Sequence, residues 1–176
     1  MSYSIHWYAC NAEELRHRIA SDHSLIDLAI EKARTIVELS PSESLDIRTR
    51  LQSGLQGDWR GENEIDGFIA FHWLLESVAE PILVAGLIDF RHWTYWESIR
   101  LDRYFNESRP PFSVPNSREC PPAVLYLPCH SMPMLLSVEA EKESVSHQSS
   151  SIVRSELLEI IESLNGDGLD LIGAAI

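Results

Sequence analysis

An α+β fold is what this chain predicts, with a small antiparallel sheet including the N-terminal and C-terminal strands and several helices packed mainly on one side. Three features carry that expectation. The opening residues alternate, with Tyr3, Ile5 and Trp7 on one face and Ser4, His6 and Tyr8 on the other, which is the period of a strand. Aromatics on both faces indicate a covered strand rather than an exposed one. The middle of the chain repeats apolar residues at helical spacing. The last segment, Leu169 to Ile176, is apolar enough to be a buried closing strand. Together with a strand over Ala123 to Cys129 (Val124, Leu125, Tyr126, Leu127), the two ends would form the sheet.

The elements follow in order. Asn11 offers a helix cap with Glu14 at the capping-box position, and a short helix runs to about Ala20. Asp22 or Ser24 restarts helix, with Ile26, Ala29, Ala33, Ile36 and Val37 as its stripe. Pro41 ends it, and Ser42 caps a third helix through Leu45, Leu51 and Leu55. Gly54, Gly57 and Gly61, with Asp58, Arg60, Glu62, Asn63 and Glu64, read as a solvated loop. A helix over Ile65 to Ala79 places Phe68, Phe71, His72, Leu75 and Val78 on one face, and Pro81 stops it. Ile82 to Ile88 is either buried helix or strand. Thr94 to Phe105 favours helix, and the prolines between Pro110 and Pro122 pre-order an extended loop. Leu135 to Ala140 is a strand or a helix start. Glu141 to Ser151, polar and serine-rich, is the expected mobile segment. The final helix begins near Ser150, with Val153, Leu157, Ile160, Ile161 and Leu164 inward, and Asn165-Gly166 provides a left-handed stop.

A chain of 176 residues is most simply one domain, residues 1–176, large enough to bury a core without disulfide or metal. Its apolar runs are far shorter than the roughly 20 residues of a membrane span. MSYSIHWYAC lacks the basic and apolar regions of a secretory signal, so a cytoplasmic protein is expected. Three widely spaced cysteines, Cys10, Cys120 and Cys129, read as free thiols. The formal net charge of −13 disfavours nucleic acid and anionic membranes, because phosphate binding needs a positive surface. It favours a basic protein partner.

No motif points to catalysis. Gly54-Leu55-Gln56-Gly57 and Gly166-Asp167-Gly168 lack the strand-turn-helix context and the Gly-Lys-Ser/Thr ending of a phosphate loop, and read as turns. Among the seven histidines no two stand at i, i+4, and there is no Cys-x-x-Cys, so neither metal nor cofactor is expected. His72, on an apolar helix face, reads as a hydrogen-bonded core histidine. No Gly-x-Ser-x-Gly occurs. Cys129 and His130, as neighbours in a strand, point to opposite faces. The paired acids Glu62 and Glu64, and Glu139, Glu141 and Glu143, read as solvated.

The most informative segment is aromatic and basic. Arg91, His92, Trp93, Trp96, Arg100 and Arg103 combine residue types that stack and pair with anionic or aromatic groups. They are the candidate binding residues, the alternative being arginines laid over an aromatic core edge.

The opening Met1-Ser2-Tyr3 strand, the helix after it, the Asp66-Gly67-Phe68 to Trp73 helix and the closing Leu169-Asp170-Leu171-Ile172 segment resemble a loose family of small bacterial proteins known as a domain of unknown function. The resemblance implies an α+β domain and no named reaction. In size and acidity the chain is also similar to bacterial immunity proteins. The functional expectation is a non-enzymatic protein-binding domain with a basic partner. The alternative is an enzyme or small-ligand receptor whose pocket is lined by His72, His92 and the arginines.

Overall fold

The sheet is built around the chain's last strand. The computed structural model describes residues 5–59, 64–82, 109–115, 124–145 and 152–175. Among them are strands β1 (Ile5–Cys10), β2 (Glu80–Ile82), β3 (Val124–Leu127) and β4 (Asp170–Ala175). The helices are α1 (Ala12–Ser21), α2 (Leu25–Ile36), α3 (Pro41–Leu55), α4 (Glu64–Val78), α5 (Met132–Val145) and α6 (Ile152–Asp167). The strand order is β2-β1-β4-β3, antiparallel at every pairing. β4 is therefore flanked on both sides, with Ile172 opposite Tyr8 of β1 and Tyr126 of β3. Pro81 lies in β2, an edge position that tolerates its missing N–H.

Helices gather mainly on one face. Tyr8, Cys10, Tyr126, Ile172 and Ala174 turn toward α1–α4 and join the buried residues Leu15, Ala29, Leu51, Phe71 and Leu74. The alternate residues Trp7, Ala9, Leu125, Leu127 and Leu171 turn the other way. They pack on Met132 and Leu135 of α5 and Ile161 and Leu164 of α6. The alternation read in β1 is thus real, and both of its faces are covered. α4 is the central helix of the larger layer. Its residues Ala70, Phe71, His72, Trp73, Leu74 and Leu75 are all buried, so over this stretch it is covered all round rather than along one inward stripe.

Several local expectations are corrected. Pro41 does not end α2 as a stop before a Ser42 cap. It is the first residue of α3, behind the cap Ser40, whose hydroxyl accepts from the Glu43 N–H while the Glu43 side chain accepts from the Ser40 N–H. Proline suits that first position because its missing N–H would have no helical partner there. Asn11 does cap α1, accepting from the Glu14 N–H at 3.0 Å. α6 runs past Asn165 and Gly166, and the left-handed residue is Gly168 at φ 68°. Of the two alternatives expected for residues 135–140, the helix is the one that forms, within α5, which continues to Val145. Glu139 is buried rather than solvated. Cys129 and His130 lie in a 3₁₀ turn, Cys129–Ser131, not in a strand.

The expected helix over Thr94 to Phe105, the start of the chain through Ser4, the loop residues 60–63, most of Ile82 to Ile88, residues 116–123 including Cys120, and residues 146–151 lie outside the described residues.

Two contacts tie distant parts together. Gly54 belongs to α3 rather than a turn, and it makes room for Trp59: a Cβ on Gly54 would sit 2.3 Å from the indole ring. Trp59 also meets Phe71 edge to face at 5.6 Å and donates from Nε1 to Ser113 Oγ at 2.9 Å. Asp170, at the start of β4, accepts from the Ala12 N–H at 2.9 Å and the Cys129 N–H at 2.8 Å. One carboxylate thereby anchors the first turn of α1 and the turn leading into α5.

Both contacts are testable by thermal or denaturant unfolding. Gly54→Ala gains up to ~1 kcal/mol of helix propensity but drives a methyl into a buried ring. Overpacking wins, and a net loss of about 1–3 kcal/mol is expected. Asp170→Ala leaves two backbone donors without their acceptor, and a loss of about 2–4 kcal/mol is expected. A wild-type unfolding midpoint in either variant would remove that contact from the account.

Candidate functional site

The described residues bring one polar cluster to the boundary of the sheet and the central helix. His6 and Tyr8 share a face of β1 because they stand two residues apart. His72 and Glu76 share a face of α4 because they stand four apart. Packing α4 against β1 brings the two pairs together. Tyr8 is fully buried, and His72 is buried at 7% exposure. Glu76 is half-buried and His6 is exposed, so the cluster opens to solvent on the His6 side.

The hydrogen bonds define proton positions. Tyr8 Oη donates to Glu76 Oε1 at 2.9 Å. The same oxygen lies 2.6 Å from His72 Nδ1. With the single phenol proton given to Glu76, the tautomer that satisfies both contacts carries a proton on His72 Nδ1, which donates to Tyr8. The lone pair of the His72 ring is then on Nε2. The His6 ring stands edge-on to His72 with centroids 4.8 Å apart, and Trp73 is 4.8 Å away on the helix. Lys32 of α2 brings its ammonium to 3.7 Å from Glu76 Oε2.

Burial dominates the electrostatics. It holds His72 down to about 3, with a smaller contribution from His6, so its imidazole is neutral near pH 7. Burial, and then the neighbouring Glu76, raises the Tyr8 phenol well above its ordinary range, which keeps it a hydrogen-bond donor. The cluster therefore offers two imidazoles, one carboxylate and a protonated phenol. One ligand atom from each of His6, His72 and Glu76 lies within 4.8 Å of the others. Among the described residues, these three make a set that suits a metal ion.

A second polar node surrounds Asp170. Burial, then the Asp170 charge, pushes the Cys10 thiol up to about 12 and raises the Tyr126 phenol. Cys10 and Cys129 are both free. A thiol so disfavoured as thiolate is a poor nucleophile, and this node reads as a structural junction.

Of the residues singled out by sequence, Arg91, His92, Trp93, Trp96, Arg100 and Arg103 lie outside the described residues. The pocket expected from His72, His92 and the arginines is represented there by His72. His72 is the hydrogen-bonded core histidine foreseen for it, with Tyr8 as partner. Sequence reasoning missed Glu76 and His6. Searching for helical ligand spacing among histidines alone passed over the His72-x-x-x-Glu76 pair. The signal for His6 was its place beside Tyr8 in the alternation.

Comparison with known proteins returns no match to a family model, a curated protein or a solved structure. No residue role comes to the site from a relative.

The lowered His72 value carries a pH consequence. The unfolded chain binds a proton near the ordinary 6.5, while the folded chain resists protonation to about 3. Stability from this group is present above the unfolded value and is lost as pH falls through the window between them. Between pH 6.5 and 5, above most carboxylate titration, His72 removes about 1.5 kcal/mol. Urea unfolding in buffer with EDTA measures it. His72→Gln, which retains a side-chain donor, is expected to flatten this part of the profile. An unchanged slope in that variant would mean that another group is responsible.

Proposed function

We propose that this protein is a non-enzymatic binding domain that engages a basic protein partner, in the manner of an acidic inhibitor or immunity protein. The observation that carries this reading is the uneven distribution of its charge. In the α1–α4 layer acids meet bases: Glu13 pairs with Arg16 at 2.8 Å, Asp27 with Arg48, and Glu76 with Lys32. The opposite layer is different. Glu159 and Glu162 are exposed on α6, with exposed Asp167 at its end. None of the three makes an ion pair among the described residues. Residues 155–176 contain neither lysine nor arginine. Part of the chain's surplus negative charge, −13 in total, thus stands exposed and, among the described residues, without an ion pair on the second half of α6.

Such a face speeds encounter with a cationic partner and selects against anionic ones. No helix among the described residues is long and apolar enough to cross a membrane. An acidic face is also a poor surface for nucleic acid, whose phosphates it repels.

Affinity capture with the tagged protein tests the reading, with Glu159→Lys/Glu162→Lys as comparison and elution by rising salt. A discrete partner of basic isoelectric point is expected. Its release should come at moderate salt, and retention by the double variant should fall at least tenfold. Equal capture by both proteins, or capture of acidic partners alone, would overturn the proposal.

A further inference from the structure

We infer that His6, His72 and Glu76 form a binding site for a divalent first-row transition-metal ion of the zinc type. The site joins two independent pieces of the fold. His72 and Glu76 come from successive turns of α4, and His6 comes from the facing strand β1. Their donor atoms fall within 4.8 Å of one another. A tetrahedral zinc ion with bonds of about 2.0–2.1 Å holds its ligand atoms roughly 3.3 Å apart. Metal binding would draw these atoms closer by side-chain rotation, and His6, the exposed member of the set, borders solvent rather than the core.

The surroundings of the ligands support the same assignment. A metal-bound imidazole ordinarily gives its second N–H to a fixed acceptor, which sets its tautomer and orientation. Here that bond exists: His72 Nδ1 meets Tyr8 Oη at 2.6 Å, and Tyr8 Oη in turn donates a hydrogen bond to Glu76 at 2.9 Å. Tyr8 is thus a positioning residue that orients both an imidazole and a carboxylate. Two nitrogen donors and one oxygen suit zinc, cobalt or nickel. They do not suit magnesium or calcium, which take oxygen ligands in larger number. Three protein ligands open to solvent on the His6 side leave a fourth position for water or for a group on a partner.

One feature opposes binding. The Lys32 ammonium, 3.7 Å from Glu76 Oε2, competes with a cation for the carboxylate. It stands on a half-exposed, flexible side chain and can swing into solvent. The site therefore predicts effects of opposite sign. Removing a ligand weakens binding, and removing Lys32 strengthens it.

Isothermal titration of the full chain with zinc chloride, and visible spectroscopy with cobalt chloride, test the assignment. Wild type is expected to bind one zinc ion and to give the strong visible bands of tetrahedral cobalt, with no response to magnesium. His6→Ala, which removes an exposed ligand and leaves the core intact, is expected to weaken binding at least tenfold and to abolish the cobalt bands. Lys32→Gln is expected to tighten binding several-fold. Circular dichroism checks that both variants remain folded. Tyr8→Phe keeps the ring and is expected to weaken binding with all three ligands present. Absence of stoichiometric zinc binding by wild type would overturn the inference, as would undiminished binding by His6→Ala.

Discussion

The structure depends on β4 lying between β1 and β3. Among the described strands, β1 and β3 have no common neighbour until the last strand is in place, because β1 pairs with β2 and β4 while β3 pairs with β4. The pairing of Cys10 with Asp170 and of Ile5 with Ala175 closes nearly the whole chain into a loop. Such non-local contacts are slow to form, since closure entropy is lost before burial compensates it. Asp170 makes the same strand a junction for the helices. Its two oxygens take backbone donors from the start of α1 and from the turn before α5.

The second constraint is the burial of α4. A helix covered on all sides must satisfy every polar group it carries inward, because a buried donor or acceptor without a partner costs about 1–3 kcal/mol. His72 meets this demand through Tyr8, and Tyr8 through Glu76. The hydrogen bonds that make His72 tolerable in the core also leave its remaining lone pair in a defined place. Structural need and binding capacity therefore reside in the same atoms. Lys32 links this chain to α2, so the second helix of the layer shares in its electrostatics.

Glycine serves this packing at Gly54. Read along the chain, Gly54, Gly57 and Gly61 look like one flexible stretch. In three dimensions Gly54 is a helical residue whose missing side chain admits the Trp59 ring. Gly57, at φ 101°, is the one of the described pair with a conformational role. The two sit three residues apart and have unrelated reasons for being glycine.

The sequence by itself determined most of the elements, though not β2, and it left the region of α5 between strand and helix. The alternation of β1, the apolar repeats of α2, α4 and α6, the Asn11 cap and the burial of the closing strand are all set by residues within a few positions of each other, and such patterns can be read locally. Near misses arose where two local signals competed, as at Ser40 and Ser42, or at Gly166 and Gly168. Only the tertiary structure decided which helix covers which strand. Tyr8 and His72 are 64 residues apart. Neither carries a mark of the other, because the hydrophobic burial that brings α4 onto β1 is non-directional and is summed over the whole layer. The same holds for Asp170, whose partners Ala12 and Cys129 are placed by the strand order and not by any motif. Chemistry assembled from distant residues becomes visible only when packing has fixed their distances.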